Sequence, residues 1–246
     1  MSSVGVNASY YSVQALLTCI WSCLAYIINL ATQALLRAHS QSKEYNPKYP
    51  EAELIMAHSG QHDEIGMIWS ICVKEHSSAK CKQLFQTIQQ WDLPNHLPQQ
   101  HPLQLILDML VRWSSTYMML DHAEKLKDDV GTFIHEIAGA EKDWVKHQKL
   151  QDLQLTDEEW GRISLLLGLL AKVEYTQQSF ASDTGPATHL ALPALESLHK
   201  AWHTQSMKAE YADFWSALEA GVNKIANYYE KTADSDAYIM AMCTLS

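Results

Sequence analysis

Arginine is scarce in this chain: Arg37, Arg112 and Arg162 stand against fifteen lysines in 246 residues of net charge −10. Glycine and proline are scarce too, at nine and seven, and long stretches contain neither. A sandwich or barrel needs a turn every few residues, so that composition excludes many-turned β folds and leaves a mainly all-α chain. The five cysteines, Cys19, Cys23, Cys72, Cys81 and Cys243, are an odd number thinly spread. They exclude a disulfide framework and imply reduced thiols in an intracellular compartment. The negative balance excludes a free-standing polyanion binder that is basic along a whole face, while local basic contacts stay open.

Patterns of catalysis are missing as well. There is no Gly-x-Ser-x-Gly elbow, no Ser-x-x-Lys set and no Gly-rich phosphate loop, which removes the hydrolase and kinase readings. Metal-assisted phosphoryl transfer needs two or three carboxylates converging on ions about 3.5–4 Å apart. Asp108 is a lone candidate for that role, whereas Asp128, Asp129, Asp234 and Asp236 read as solvated helix-end charges. His58 with His62, Cys72 with His76 near Cys81, and His199 with His203 have one-turn spacing. Without Cys-x-x-Cys or finger spacing, solvated or core side chains explain them better than zinc does, and neither a metal nor a cofactor is expected.

No charged residue occurs from Met1 to Leu36. The run from Val13 to Leu36 could cross a bilayer by length, but Gln14, Thr18, Ser22, Asn29, Thr32 and Gln33 interrupt it and no basic segment precedes it. A buried amphipathic helix over residues 10–39 is the expectation, with a membrane anchor as the alternative. Polar and proline breakers follow at Ser40–Pro50. Apolar spacing then predicts two helices between residues 51 and 90 with a bend near Ser77–Ser78. Pro94, Pro98 and Pro102 predict a loop over 92–102, and Leu103–Leu107 is a short apolar run of ambiguous type. Ser114, Ser115 or Thr116 is expected to cap a helix running to Lys127, with a hinge at Asp128, Asp129 and Gly131 before a helix over Phe133–Trp144. Thr156 with Glu159 forms a capping box, Gly185–Pro186 breaks the helix it starts, and helices are expected over Leu190–Trp202 and Tyr211–Tyr229.

The segment around Asp108 is the least generic. An Arg112–Trp113 pair stands at the start of a predicted helix. Arginine supplies a forked, permanently charged donor for phosphate, and an indole is a platform on which an unpaired base stacks for ~1–3 kcal/mol. A core tryptophan beside a surface arginine is the plainer reading, and spacing alone favours it, because most of the eight tryptophans must serve the core.

The order of segments changes that balance. Cys23 to Leu30, Asp108 to Thr116 with its helix, Leu155 to Trp160, Ser182 to Pro186, Thr188 to Pro193, Tyr228–Tyr229 and Asp236 to Ile239 together resemble the hAT (hobo, Activator, Tam) superfamily of DNA transposases. The resemblance covers most of the chain. It implies an RNase H-like core carrying an Asp, Asp, Glu triad, split by a large helical insertion. Residues 1–40 would be a remnant helix of that core and 41–246 part of the insertion. It also implies that Arg112 and Trp113 contact flanking DNA, with Asp108, Ser114, Cys23 and Asn29 as motif positions of unassigned role.

Departures from the family pattern bear on function. Tyr26 stands where a Cys-x-x-His histidine is usual, Val111 replaces the threonine before Arg-Trp, and no acid precedes Glu44. The acids of the triad and a zinc finger for transposon ends are not found. The implied protein is thus a truncated, transposase-derived chain without strand-transfer chemistry, not an enzyme. It would be nuclear, the cytoplasm being the alternative, and would touch DNA weakly or pair with itself or an intact transposase through exposed helix faces. A helical interaction or scaffold protein is the competing expectation.

Overall fold

The computed structural model describes residues 25–40, 63–91, 102–108, 113–180 and 188–233. Those residues form helices and connecting turns, with no strand among them. The all-α class inferred from the scarcity of glycine and proline is therefore the observed one. Two compact units divide the chain by packing, one made of residues up to His39 together with Leu169 onward, the other of Ser40–Gly168.

The first unit begins with α1, residues 25–39. Its Ile27, Ile28, Ala31, Thr32, Leu35 and Leu36 are buried at three- and four-residue spacing, as an amphipathic helix requires. The buried Thr32 hydroxyl is satisfied by donating to the Ile28 carbonyl at 2.9 Å. Residues 13–24 of the uncharged run lie outside the described residues. No described helix is long and apolar enough to cross a membrane.

Four further elements complete this unit: the second half of α7 (Asp157–Phe180), α8 (Thr188–Ser206), the 3₁₀ turn η1 (Ala209–Phe214) and α9 (Trp215–Ala233). Helices α8 and α9 pack on each other around Trp202, which is fully buried and donates its indole N–H to the Leu169 carbonyl at 3.3 Å. Gly221 of α9 permits that fit, because a methyl group there would stand 2.7 Å from Cζ3 of Trp202 and 3.5 Å from the Ala31 carbonyl oxygen. The helix expected over Tyr211–Tyr229 is thus two elements. Non-helical torsions at Tyr211 (φ −104°, ψ 16°) kink the chain within the 3₁₀ turn, ahead of α9, and Tyr211 and Phe214 are both buried.

In the second unit, α2 (Glu64–His76) is the most deeply buried element, exposed on almost none of its turns. It packs against α3 (Ala79–Trp91) and α4 (Trp113–Lys125), while α3 packs on α5 (Lys127–Ala140) through an edge-to-face pair of Phe85 and Phe133. An ion pair between Arg162 and the buried Glu64 ties α7 to the start of α2. The bend expected at Ser77–Ser78 is present, where the Ser78 hydroxyl accepts from the Cys81 amide at the head of α3. The Thr156–Glu159 capping box closes as expected, with Glu159 Oε2 accepting from the Thr156 amide at 2.6 Å and Thr156 Oγ1 from the Glu159 amide at 3.3 Å.

Three expectations are corrected here. The helix from Trp113 ends at Lys125 and not at Lys127, since Leu126 leaves helical torsions (φ −111°, ψ 24°) and Asp128 and Asp129 open α5. Acids in a first turn face the positive end of the helix dipole, so these residues start a helix where a hinge was expected. Gly131 lies inside α5, close against Gln154. The helix expected over Phe133–Trp144 also stops early, at Ala140. Asp143 then caps a separate α6 (Trp144–Gln151) by accepting from the Val145 and Lys146 amides.

Glu75 is an acid buried within this core. Its side chain is fully buried, His76 Nδ1 lies 2.7 Å from Oε2, and neither oxygen receives a hydrogen bond. Burial pushes its carboxyl above the usual carboxylate range, partly offset by the nearby His76 and Lys82. The adjacent buried Cys72 thiol is raised as well, by burial first and the Glu75 charge second. A carboxyl raised on folding holds its proton where the unfolded chain has lost it. Stability therefore falls as pH rises from the unfolded value through the folded one. Glu75→Gln should abolish this fall and be more stable than the native chain at neutral pH. Urea midpoints compared from about pH 4.5 to about pH 8 check this. A difference between the two proteins that stays constant with pH defeats the assignment.

Candidate functional site

Residues 102–108 follow no regular secondary structure and are held at two points. At the first, the Gln89 side-chain amide of α3 grips Leu103. Its Nε2 donates to the Leu103 carbonyl at 2.7 Å, and its Oε1 accepts from the Leu103 amide at 2.8 Å. Leu105 then enters the core while Leu103 and Leu107 stay exposed. The apolar run of ambiguous type is thus neither strand nor helix, and it is anchored by a side chain in place of a ladder.

Asp108 is the second anchor. It is 4% exposed, and its two oxygens accept from hydroxyls of the first turn of α4: Oδ1 from Ser115, and Oδ2 from Thr116 at 2.8 Å. A carboxylate at that end of a helix meets both donor hydroxyls and the positive end of the dipole, which compensates for its desolvation. The cap expected at Ser114, Ser115 or Thr116 is corrected accordingly. Helix α4 already starts at Trp113, so the three hydroxyl residues lie within its first turn, and Ser115 and Thr116 serve the upstream aspartate.

Of the sequence-derived site residues, Asp108 is therefore joined to Ser115 and Thr116, with Ser114 half-buried beside them in the chain. Arg112 lies outside the described residues. Trp113 is described only as the first residue of α4. Cys23 also lies outside. Asn29 belongs to the other compact unit, where its Oδ1 accepts from Gln33 at 3.4 Å in a row that continues to Arg37 on α1. The histidine and cysteine pairs resolve differently. His58 and His62 are outside the described residues, His199 and His203 stack on each other, and His76 Nδ1 faces the Cys72 carbonyl at 2.9 Å. No group of three His, Cys, Asp or Glu side chains among the described residues is placed to hold a metal ion.

Sequence reasoning missed Gln89 and the pairing of Asp108 with Ser115 and Thr116. One faint signal was available: an aspartate seven and eight residues ahead of two hydroxyls, just upstream of a helix start, suits a chain that turns back onto that helix. The geometry fixes the chain on both sides of Arg112, entering at Asp108 and leaving along α4. Among its described residues, the arrangement joins one carboxylate to two hydroxyls at the start of a helix.

Residues 21–169 match the family model described as the ZBED1 RNase-like helical domain, a domain related to the hAT transposases. No curated protein and no solved structure matches the chain. The matched span contains α1, the Asp108–Thr116 anchor and the capping box, and it ends one residue past Gly168, where the second unit closes. Covering well over half of the 246 residues, it shows that the chain belongs to the ZBED1 RNase-like helical domain family.

Proposed function

We propose that this is a transposase-derived protein that contacts DNA through Arg112 and Trp113 without strand-transfer activity of its own. The observation that carries the reading is the Asp108 anchor within the family-matched span, since it fixes the start of α4 where Trp113 stands. Both oxygens of Asp108 are engaged by hydroxyls, which suits a carboxylate that positions a helix and not one that holds a catalytic ion. In this reading residues 1–40 derive from an RNase H-like core and 41–246 from its helical insertion, and the protein works in the nucleus, where DNA is its partner.

Binding to hairpin DNA with unpaired flanks, followed by fluorescence anisotropy, tests the role of the pair. Trp113→Ala is expected to weaken binding at least about fivefold, the loss of one stacked base. Equal affinity of the two proteins would remove the DNA role.

A second reading, a helical interaction protein, has its own support in the first unit. Tyr175, Met207 and Trp215 are 75%, 72% and 53% exposed there. Large apolar side chains at that exposure suit association with a second copy or an intact transposase, which a concentration-dependent sedimentation shift would reveal.

A further inference from the structure

Trp144 is 73% exposed and Val145 after it 61%. An indole that wet, at the head of an eight-residue helix, is not there to fill the core. One of its faces is occupied: the His147 ring stacks on it with centroids 5.7 Å apart and planes 17° from parallel. His147 is itself held, its Nδ1 2.7 Å from the Ala138 carbonyl at the end of α5. The indole is thus propped from one side by a fixed ring and open on the other.

Charges of both signs surround it, and they differ in what holds them. Lys142 and Lys146 are exposed and Lys149 half-exposed, and none of the three forms an ion pair among the described residues. The neighbouring acids are turned onto partners of their own. Glu141 Oε1 accepts from the Lys142 and Asp143 amides, Asp143 Oδ1 from the Val145 and Lys146 amides, and Asp152 Oδ1 from Gln148. In a chain of net charge −10 this leaves the ammonium groups of Lys142 and Lys146 without an ion pair among the described residues beside an open aromatic face, with the intervening carboxylates held by amides.

The same helix shows which partner class fits. A docking helix needs apolar neighbours at three, four and seven residues from Trp144, and those positions are His147, Gln148 and Gln151. A stacked base needs one flat face, and its flanking phosphates need cations.

We infer that Trp144, propped by His147 and flanked by Lys142 and Lys146, is a stacking site for an unpaired base of a single-stranded nucleic acid. This site goes beyond the Arg112–Trp113 contact, and it stands whether or not that contact does. Anisotropy of a labelled oligothymidine of about a dozen nucleotides, titrated with the full chain, tests it against Trp144→Ala, Trp113→Ala and a Lys142→Gln/Lys146→Gln double variant. Trp144→Ala is expected to bind at least about fivefold more weakly, and the double variant to lower the salt slope of log affinity by about 1.4. Trp113→Ala, used with the hairpin above, separates the two ideas: loss there with no loss for Trp144→Ala on the oligothymidine overturns this site alone. Absence of native binding at millimolar protein also overturns it. So does a Trp144→Ala variant that changes sedimentation and leaves affinity intact, which would give the face to a protein partner.

Discussion

Trp202→Ala is expected to cost roughly 3–5 kcal/mol of folding free energy, the largest loss from any single truncation described above. Three contributions combine at this site. The indole is fully buried, so its removal opens a cavity between α8 and α9. Its N–H satisfies the Leu169 carbonyl within α7, and that bond is lost as well. The close approach at Gly221 is shaped to the ring, so collapse of α9 into the void is resisted by the Ala31 backbone on the same side. Urea unfolding followed by far-ultraviolet circular dichroism measures the effect, with the midpoint displaced by at least about 1 M for a typical small-protein slope. A midpoint shift of a few tenths molar would mean that the ring is not the centre of that unit. The converse change, Gly221→Ala, pushes a methyl to within 2.7 Å of the ring and should also destabilise, by the same far-ultraviolet and urea criteria.

The second large effect falls on the site. Asp108→Ala leaves the buried Thr116 hydroxyl and the Ser115 hydroxyl without the carboxylate that accepts from them. Losing charge-assisted hydrogen bonds of this kind costs on the order of 2–3 kcal/mol. The functional consequence separates positioning from binding. If Asp108 acts by fixing the start of α4, Asp108→Ala weakens hairpin-DNA binding as Trp113→Ala does, and the two changes together are less than additive. Asp108→Asn keeps the shape and one acceptor, so it should recover part of both the stability and the affinity. A double variant whose losses simply add would show that Asp108 and Trp113 act separately.

Much of this architecture could be read along the chain because it is set by near neighbours. The capping box needs only Thr156 and Glu159, three residues apart, and the bend at Ser77–Ser78 needs only two small hydroxyls between apolar repeats. The periodicity of Ile27, Ile28, Ala31 and Leu35 likewise gives the buried face of α1 directly. The features that escaped depend on distant partners. Gln89 and Leu103 are fourteen residues apart, and nothing local marks that amide as a clamp. Asp128 and Asp129 looked like hinge charges because their stabilising partner is a dipole that exists only once α5 has formed. Most of the eight tryptophans are expected in the core. Trp69 and Trp202 obey that rule, whereas Trp144 and Trp215 are exposed, and only their surroundings show it.

The grip of Gln89 on Leu103 has a chemical corollary. Donor and acceptor of one amide are both committed, so the group is correct in a single orientation. Hydrolysis of that amide exchanges an NH₂ for an oxygen and leaves the side chain the same size. It would nonetheless set a carboxylate against the Leu103 carbonyl and turn an attraction into a repulsion. Deamidation at position 89 would thus unfasten the segment that leads to Asp108 with no residue replaced by mutation.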